Sequence, residues 1–323
     1  MPEDTGPAVP PVRLAITLGD PRGVGPEIAA TAALTFQSPE YQLTFVGPRG
    51  TAAQGVAANL LAVGDWAAGG SVAAAGRLAG QAIEAAVRLA LEGEVDGIVT
   101  GPIDKYALHA GGYLFPGHTE MLAALAQVPE VVMLMAAERT SLGGALRVVL
   151  ATTHVALADV PARFTRTLLE HQARIAHTAL RTGWGLERPR LALCAFNPHA
   201  SDGGLFGDEE DRIYAPAIAT LRAEGLTVSG PIPADTVFLR AARGEFDVVI
   251  APYHDVGMAA FKTASFGQGV NVTLGLPFVR TSPDHGTALD IAGRGLADPS
   301  SMLQAVRLAR QLVLRRRAGE ARA

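Results

Sequence analysis

Residues 246–254, with the sequence FDVVIAPYH, carry the clearest indication of the fold. The short β-branched run VVIA is followed by a proline, a tyrosine and His254. Continuous apolar residues, without alternation with polar ones, are typical of a strand that is covered on both faces of a parallel sheet. Ligands bind at the carboxyl ends of such strands, so His254 occupies a position where a functional group is expected.

Further apolar runs of the same kind are separated by amphipathic or alanine-rich segments. The runs are VRLAITL (12–18), LTFVG (43–47), VDGIVTG (95–101), LRVVLATTH (146–154), RLALCAF (190–196) and GVNVTLGLP (269–277). Helices are predicted over residues 75–91, 161–181 and 299–315. The alternation predicts an α/β fold with a largely parallel sheet, and the length of 323 residues favours two lobes over one.

Composition narrows the class of protein. Although 49% of the residues are hydrophobic, no run approaches the roughly 20 residues that cross a bilayer, so no membrane partner is expected. The net charge of -4 argues against nucleic acid as the main partner. Residues 1–12 are acidic and rich in proline, which predicts a disordered leader and not a secretion signal. The cytoplasm is therefore the expected compartment.

Three histidines, His154, His199 and His254, each follow an apolar run. A single such histidine is more often a hydrogen-bonded structural residue, but three at equivalent strand ends indicate ligands of one catalytic metal ion. Imidazoles suit Zn²⁺, Co²⁺, Ni²⁺ or Mn²⁺ better than Mg²⁺. Because Asp255 and Asp235 add carboxylate oxygens near these histidines, Mg²⁺ stays a possible ion. Asp235 also begins a predicted helix, where it can act as an N-cap instead.

Polar groups also follow the earlier runs. The turn GDPRGVGPE (19–27) leads into a helix whose backbone N–H groups can hold an anion, and a purely structural turn is the alternative. Lys105 in GPIDK either faces the same cleft or is a surface lysine beside a helix start. His118 and Thr119 follow a Pro-Gly turn, where a capped helix start would also explain them.

The density of functional side chains is highest after residue 253. Lys262, Asn271 and Arg280 offer an ammonium, an amide and a guanidinium for an anionic substrate. Solvent-facing polarity is the alternative for each of them. It fits Arg280 least well, because this residue directly follows the apolar run LPFV.

Taken together, these strand-end motifs resemble the 4-hydroxythreonine-4-phosphate dehydrogenase family of vitamin B6 synthesis. The motifs are GDPRGVGPE (19–27), GPIDK (101–105), PGHTE (116–120), TTHVAL (152–157), NPHASDGGLFGDEE (197–210), PADTVF (233–238), YHDVGMAAFK (253–262) and GVNVTLGLPFVRTSPDHGTALDIAG (269–293). In addition, DHGTALDIAGRGLADP (284–299) is similar to the cofactor loop of isocitrate and isopropylmalate dehydrogenases.

The resemblance implies a two-lobed α/β/α fold that is not of the Rossmann type, with the active site in the cleft between the lobes. Residues 13–128 and 264–323 are expected to form the cofactor-side lobe. Residues 129–263 are expected to form the lobe for metal binding and dimerisation. A homodimer is implied, whose metal site is shared between subunits, with His254 expected from the other subunit.

Residue roles follow from the same resemblance. It implies a divalent metal (Zn, Co, Mn or Mg) on the three histidines and NAD or NADP as the cofactor. The expected substrate contacts are His118, Thr119, Lys262, Asn271 and Arg280. The expected cofactor contacts are Gly286, Thr287 and Asp290. Lys262 is the first candidate for the group that accepts the hydroxyl proton, and Asp255 and Asp235 are the alternatives.

The implied reaction is the oxidation of the 3-hydroxyl of 4-phosphohydroxy-L-threonine, followed by decarboxylation to 3-amino-2-oxopropyl phosphate. Paralogues that act on 4-phosphothreonate, 4-phosphoerythronate or a cis-dihydrodiol, and a binding protein without catalysis, are the alternatives. Two positions depart from the family pattern: Arg22 replaces a small residue and Val256 replaces a glutamine that many relatives have. Arg22 is expected to add positive charge if it lines the cleft.

Overall fold

The computed structural model describes residues 10–321. Most of the predicted leader, residues 1–9, lies outside the described residues. At its other end the prediction was wrong, because the first strand already begins at Val12, whose side chain is buried. Within residues 10–321, no helix is both long and apolar enough to cross a membrane.

The chain divides into two compact units. The first contains the chain up to Ala126 together with Pro277–Arg280 and His285–Leu314. The second contains Gln127–Leu276, Thr281–Asp284 and the chain from Arg315 onwards. The chain thus passes between the units several times, and each unit is built from segments that are distant in sequence.

The first unit has a parallel sheet in the order β3-β2-β1-β4. Its elements up to residue 125 are β1 (Val12–Thr17), α1 (Gly25–Thr35), β2 (Tyr41–Arg49), β3 (Leu60–Asp65), α2 (Val72–Leu91), β4 (Gly97–Thr100), α3 (Lys105–Ala110) and α4 (His118–Leu125). Strand β3 is not among the apolar runs that predicted strands. A Cβ on Gly76 of α2 would lie 1.6 Å from the Ala107 carbonyl oxygen, so glycine allows α2 and α3 to cross closely.

The second unit has strands in the order β10-β5-β6-β9-β7-β8. Its elements are β5 (Val132–Ala137), β6 (Leu146–Thr152), α5 (Val160–Arg163), α6 (Arg166–Trp184), β7 (Arg190–Cys194), α7 (Ala215–Ala223), β8 (Thr227–Ile232), α8 (Ala234–Ala242), β9 (Val248–Tyr253), α9 (His254–Ser265) and β10 (Val270–Leu274). Strand β11 (Val279–Pro283) and helix α10 (Ser300–Glu320) each begin in the first unit and end in the second.

Two predictions about these elements need correction. The helix predicted over residues 161–181 is two helices, because the Thr165 side chain accepts a hydrogen bond from the Leu168 amide and starts α6 anew. The structure also keeps residues 264–276 in the second unit, whereas the sequence placed them in the cofactor-side lobe. The reason is that β10 pairs with β5, from Val270 opposite Ala136 to Leu274 opposite Val132.

The core of the second unit explains why its central strands read as continuous apolar runs. Val148 and Leu150 of β6 belong to the apolar cluster that includes Val237 of α8 and Phe261 of α9. The intervening Val149 points to the other face of the strand and is also fully buried. The central strands are therefore covered on both sides, as predicted, although β10 pairs antiparallel with both β5 and β11.

Candidate active site

Two of the three predicted metal ligands lie side by side in the second unit. Strands β6 and β9 are parallel neighbours with Thr152 opposite Tyr253, so the residues that follow them emerge at the same edge. The ring centroids of His154 and His254 are 5.8 Å apart. Two imidazoles that bind one ion at about 2.0–2.1 Å place their centroids about 5–6 Å apart. The pair therefore fits a shared divalent ion.

Asp255 orients one ring of this pair. The His254 ring nitrogen Nδ1 lies 2.7 Å from the Asp255 Oδ1, which leaves Nε2 as the nitrogen for an ion. Carboxylates that hold a ligating imidazole in this manner fix its tautomer and its orientation. Asp255, expected as a possible proton acceptor, is thus engaged with a candidate metal ligand.

The third histidine is held apart from the pair within one chain. His199 is exposed and has a φ of 54°, in the left-handed region, as do the next two residues of its turn. In the part of the chain that the structure describes, no three His, Cys, Asp or Glu side chains lie together so that they could hold an ion. The described residues of one chain thus bring His154 and His254 together without a third ligand, and which histidine a second subunit would supply stays a prediction.

A buried carboxylate that sequence reasoning missed holds the base of the His199 turn. Glu210 is 3% exposed, and its Oε1 accepts hydrogen bonds from the amides of Phe196 and Asn197 at 2.9 and 2.8 Å. The Asn197 side chain donates to Oε2 at 2.9 Å. The signal was present in the motif NPHASDGGLFGDEE, whose asparagine and final glutamate form this contact. Such a carboxylate can offset the strain of the positive-φ residues.

Lys262 has a partner that the sequence did not reveal. Its Nζ donates hydrogen bonds to the Asp284 carbonyl oxygen at 2.8 Å and to Asp284 Oδ2 at 2.7 Å. A Cβ on Gly269 would lie 2.3 Å from that Oδ2, so glycine is needed there to leave room for the carboxylate. The ammonium is therefore held at a defined point. Nearby in sequence, Asn271 of β10 has a buried Oδ1 that accepts no hydrogen bond from any described residue.

A second group of predicted residues lies in the first unit. Arg280 is 2% exposed, and its Nη2 donates to the Thr100 Oγ1 at 2.7 Å, at the end of β4. Burial lowers the pKa of the Arg280 guanidinium to about 9, so it stays cationic at neutral pH. The prediction that Arg280 is not an ordinary solvent-facing charge is confirmed.

His118 shares the electrostatic environment of Arg280. It is the first residue of α4, and its Nε2 is buried without a hydrogen-bond partner among residues 10–321. Burial, and then the positive charges of Arg280 and Lys105, lower the pKa of His118 well below its ordinary value. A neutral imidazole beside two cations can donate to an anionic group without carrying a charge itself. Thr119 follows in the same turn.

The predicted cofactor loop meets the glycine-rich turn of the first unit. The Val24 amide donates to the Thr287 carbonyl oxygen at 2.9 Å. A Cβ on Gly23 would lie 2.7 Å from the same oxygen, so this close approach requires glycine. Gly286 and Asp290, in the same loop as Thr287, are exposed.

Arg22 does not supply the free positive charge that was expected. Its guanidinium donates to Asp20 Oδ1 at 3.0 Å and Oδ2 at 2.6 Å, and to Asp104 Oδ2 at 2.8 Å. Two carboxylates thus offset one cation. The N-cap alternative for Asp235 was also wrong, because the N-cap of α8 is Pro233 and Asp235 lies exposed in the first turn.

Comparison with known proteins places this geometry in a family. Residues 16–309 match the family described as pyridoxal phosphate biosynthetic protein PdxA. The chain belongs to the PdxA family. It is 45% identical over 337 residues to 4-hydroxythreonine-4-phosphate dehydrogenase of Methylorubrum populi, covering 94% of this chain and 95% of the relative. The predicted family resemblance is therefore confirmed.

Other members and solved structures extend the comparison. D-threonate 4-phosphate dehydrogenase of Cupriavidus necator is 48% identical over 246 residues, covering 76% of this chain and 72% of the relative. The crystal structure of 4-hydroxythreonine-4-phosphate dehydrogenase from Klebsiella pneumoniae has a TM-score of 0.82 at 38% identity, covering 94% of this chain and 99% of that one. Isocitrate dehydrogenase from Methylococcus capsulatus, with a TM-score of 0.56 at 15% identity, shares the fold alone and covers 96% of this chain and 88% of that chain.

Proposed function

We propose that this PdxA-family chain oxidises the 3-hydroxyl of 4-phosphohydroxy-L-threonine with NAD⁺ or NADP⁺, and that the product loses CO₂ to give 3-amino-2-oxopropyl phosphate for pyridoxal phosphate synthesis. The observation that carries the proposal is the buried cation Arg280 beside the neutral His118. A buried guanidinium with an imidazole donor suits the phosphate or carboxylate of a doubly anionic substrate.

The residues present fit the groups that the family implies. His154 and His254 would hold a divalent ion, with Asp255 fixing the tautomer of His254. His199 is proposed as the further ligand, in a homodimer whose subunits share the site. When bound, these groups supply Lewis-acid polarisation of a substrate oxygen and acceptance of a hydride.

Lys262 remains the first candidate for the residue that takes the hydroxyl proton. Asp284 holds its Nζ through two hydrogen bonds, which sets the position from which a proton could be moved. Asn271 would add an amide to the substrate contacts, because its buried Oδ1 still has capacity to accept a hydrogen bond. Thr119 would add a hydroxyl beside His118.

A second candidate is the oxidation of a 4-phosphorylated sugar acid. The 48% identity to a D-threonate 4-phosphate dehydrogenase favours it, since that substrate carries the same phosphate and carboxylate. The two compounds differ where one has an amino group and the other a hydroxyl. The anion-binding residues Arg280 and His118 would serve both.

The test is an assay of the purified chain with NAD⁺ and with NADP⁺, in the presence of Zn²⁺, Co²⁺, Mn²⁺ or Mg²⁺. Reduction of the nicotinamide is followed by absorbance with 4-phosphohydroxy-L-threonine, 4-phospho-D-threonate and, as the control, unphosphorylated 4-hydroxy-L-threonine. The first compound should have the highest kcat/KM, and the unphosphorylated control should have a much lower one. Preference for the second compound would replace the proposal by its alternative. Substrate binding without reduction would indicate a binding protein.

A further inference from the structure

A cavity of about 440 Å³ lies entirely within the first unit, beside the predicted cofactor loop. Its walls come from the glycine-rich turn, from the segments that follow β2 and β3, and from Ala292 and Gly293. Arg22, Glu27 and Trp66 are the large side chains that line it. A cavity of this size accommodates a small organic ligand.

Trp66 gives the cavity an aromatic wall in a fixed position. The Trp66 amide donates to the Arg49 carbonyl oxygen at 2.9 Å, which ties the residue to the end of β2. A Cβ on Gly70 would lie 2.5 Å from the indole ring, so glycine allows the ring to lie directly against the backbone. An indole held in this manner can stack on a flat heteroaromatic ring.

Glu27 gives the cavity an acceptor with unused capacity. It lies in the first turn of α1, and its Oε1 is buried without a donor among the residues that the structure describes. A buried carboxylate oxygen without a donor is costly, and a ligand hydroxyl can supply the missing hydrogen bond. A ligand phosphate next to it would instead meet a like charge.

Arg22 does not counter the repulsion between Glu27 and a ligand phosphate, because the charge of Arg22 is offset by Asp20 and Asp104. In dinucleotide sites of the Rossmann type, a carboxylate binds the hydroxyls of an unphosphorylated ribose, whereas an arginine accommodates a 2′-phosphate. The side chains in the wall of this cavity therefore correspond to the first kind.

We propose that this cavity takes the adenosine end of the cofactor, with the adenine on Trp66 and the ribose hydroxyls donating to Glu27, and that the chain therefore prefers NAD⁺ to NADP⁺. The contact between Val24 and Thr287 joins the cavity wall to the predicted cofactor loop. The inference rests on the use of a nicotinamide dinucleotide in the proposed function.

The test measures binding without substrate, metal or turnover. Isothermal titration calorimetry of the full chain with 5′-AMP and with 2′,5′-ADP gives the ratio of the two affinities. We expect 5′-AMP to bind at least about tenfold more tightly than 2′,5′-ADP. Glu27→Gln should reduce this ratio about tenfold, whereas Glu92→Gln, at an exposed site on the same unit, should leave it unchanged. Circular dichroism checks that each variant is folded.

Trp66→Ala provides an independent measurement. It should lower the affinities for 5′-AMP and for 2′,5′-ADP by a similar factor, about tenfold, because stacking on the adenine does not distinguish the two riboses. Tyr106→Ala, at an exposed aromatic residue, serves as its control. Equal affinity for the two nucleotides, or an unchanged ratio in Glu27→Gln, would overturn the inference even if the enzyme oxidises its substrate. Conversely, selective 5′-AMP binding by a chain that oxidises nothing would leave the cavity assigned and refute the proposed function.

Discussion

His118 and Arg280 illustrate, at the scale of single residues, how burial changes charge. Both were chosen from the sequence as substrate contacts, and the structure gives each an electrostatic reason. Arg280 retains its cation although it is almost fully buried, while His118 is kept neutral by burial and by the cations near it. The pair combines one fixed charge with one neutral donor, which suits an anion that must be held and later released.

The lowered pKa of His118 makes stability depend on pH. Below about pH 6.5 the unfolded chain binds a proton at this residue and the folded chain does not, so stability should fall as the pH falls. Lowering the pH from 7.5 to 5.5 should therefore reduce the free energy of unfolding, and His118→Gln should make this reduction smaller. Urea unfolding at both pH values measures the effect. His109→Gln, at an exposed histidine, is the control, and equal pH dependence in wild type and His118→Gln would contradict the assignment.

At the scale of elements, Arg22 links the glycine-rich turn to the start of α3. It binds the fully buried Asp20 in the turn and also Asp104, whose side chain accepts hydrogen bonds from the amides of Tyr106 and Ala107 as the N-cap of α3. The sequence singled out Arg22 as a departure from the family pattern. The structure shows that the departure is an ion-pair network between two elements.

Removal of Arg22 should therefore destabilise the protein. Arg22→Ala would leave the charge of Asp20 buried without this partner. Breaking a fully buried ion pair lowers the free energy of unfolding by about 3–5 kcal/mol. Because Arg22 is partly exposed, a loss of about 2–4 kcal/mol is expected here. The exposed pair Arg49–Asp65 is the control, and Arg49→Ala should cost less than about 1 kcal/mol. Denaturant unfolding compares the two variants. A loss in Arg22→Ala no larger than in the control would show that the network contributes little.

At the scale of the whole molecule, the proposed metal ligands lead to a prediction about subunits. One chain brings His154 and His254 together but not His199, so a shared site predicts complementation between subunits. In a symmetric homodimer, a refolded mixture of His154→Ala and His199→Ala chains should regain about a quarter of the wild-type activity and metal content. Half of the dimers are then mixed, and each has one complete site.

The matching control is a mixture of His154→Ala and His254→Ala chains. These two ligands come from the same chain, so no dimer in this mixture would contain a complete site, and activity should stay absent. Recovery in the control, or none in the first mixture, would contradict a site divided in this manner. Metal content by elemental analysis and dimer content by sedimentation complete the measurement.

Much of this architecture follows from local sequence. Strands β1, β6, β7 and β9 were predicted because each contains at least four apolar residues in a short run, as expected for strands that are buried on both faces. Strand β11 was missed, since VRTSP contains an arginine and a proline, and β8 was missed because TVSGPI lacks a regular pattern. Their strand conformation depends on neighbours that are distant in sequence, and no local pattern reports such pairing.

By itself the sequence determined the α/β class, the family and which residue types stand at the strand ends, because these depend on local patterns and on motifs. Only the tertiary structure decided which of those side chains meet: His154 with His254, Lys262 with Asp284, and Arg22 with two carboxylates. Asp284 is 22 residues from Lys262, and Asp104 is 82 residues from Arg22. Contacts over such separations are fixed by how the strands pair and pack, and the charge of a site follows from them.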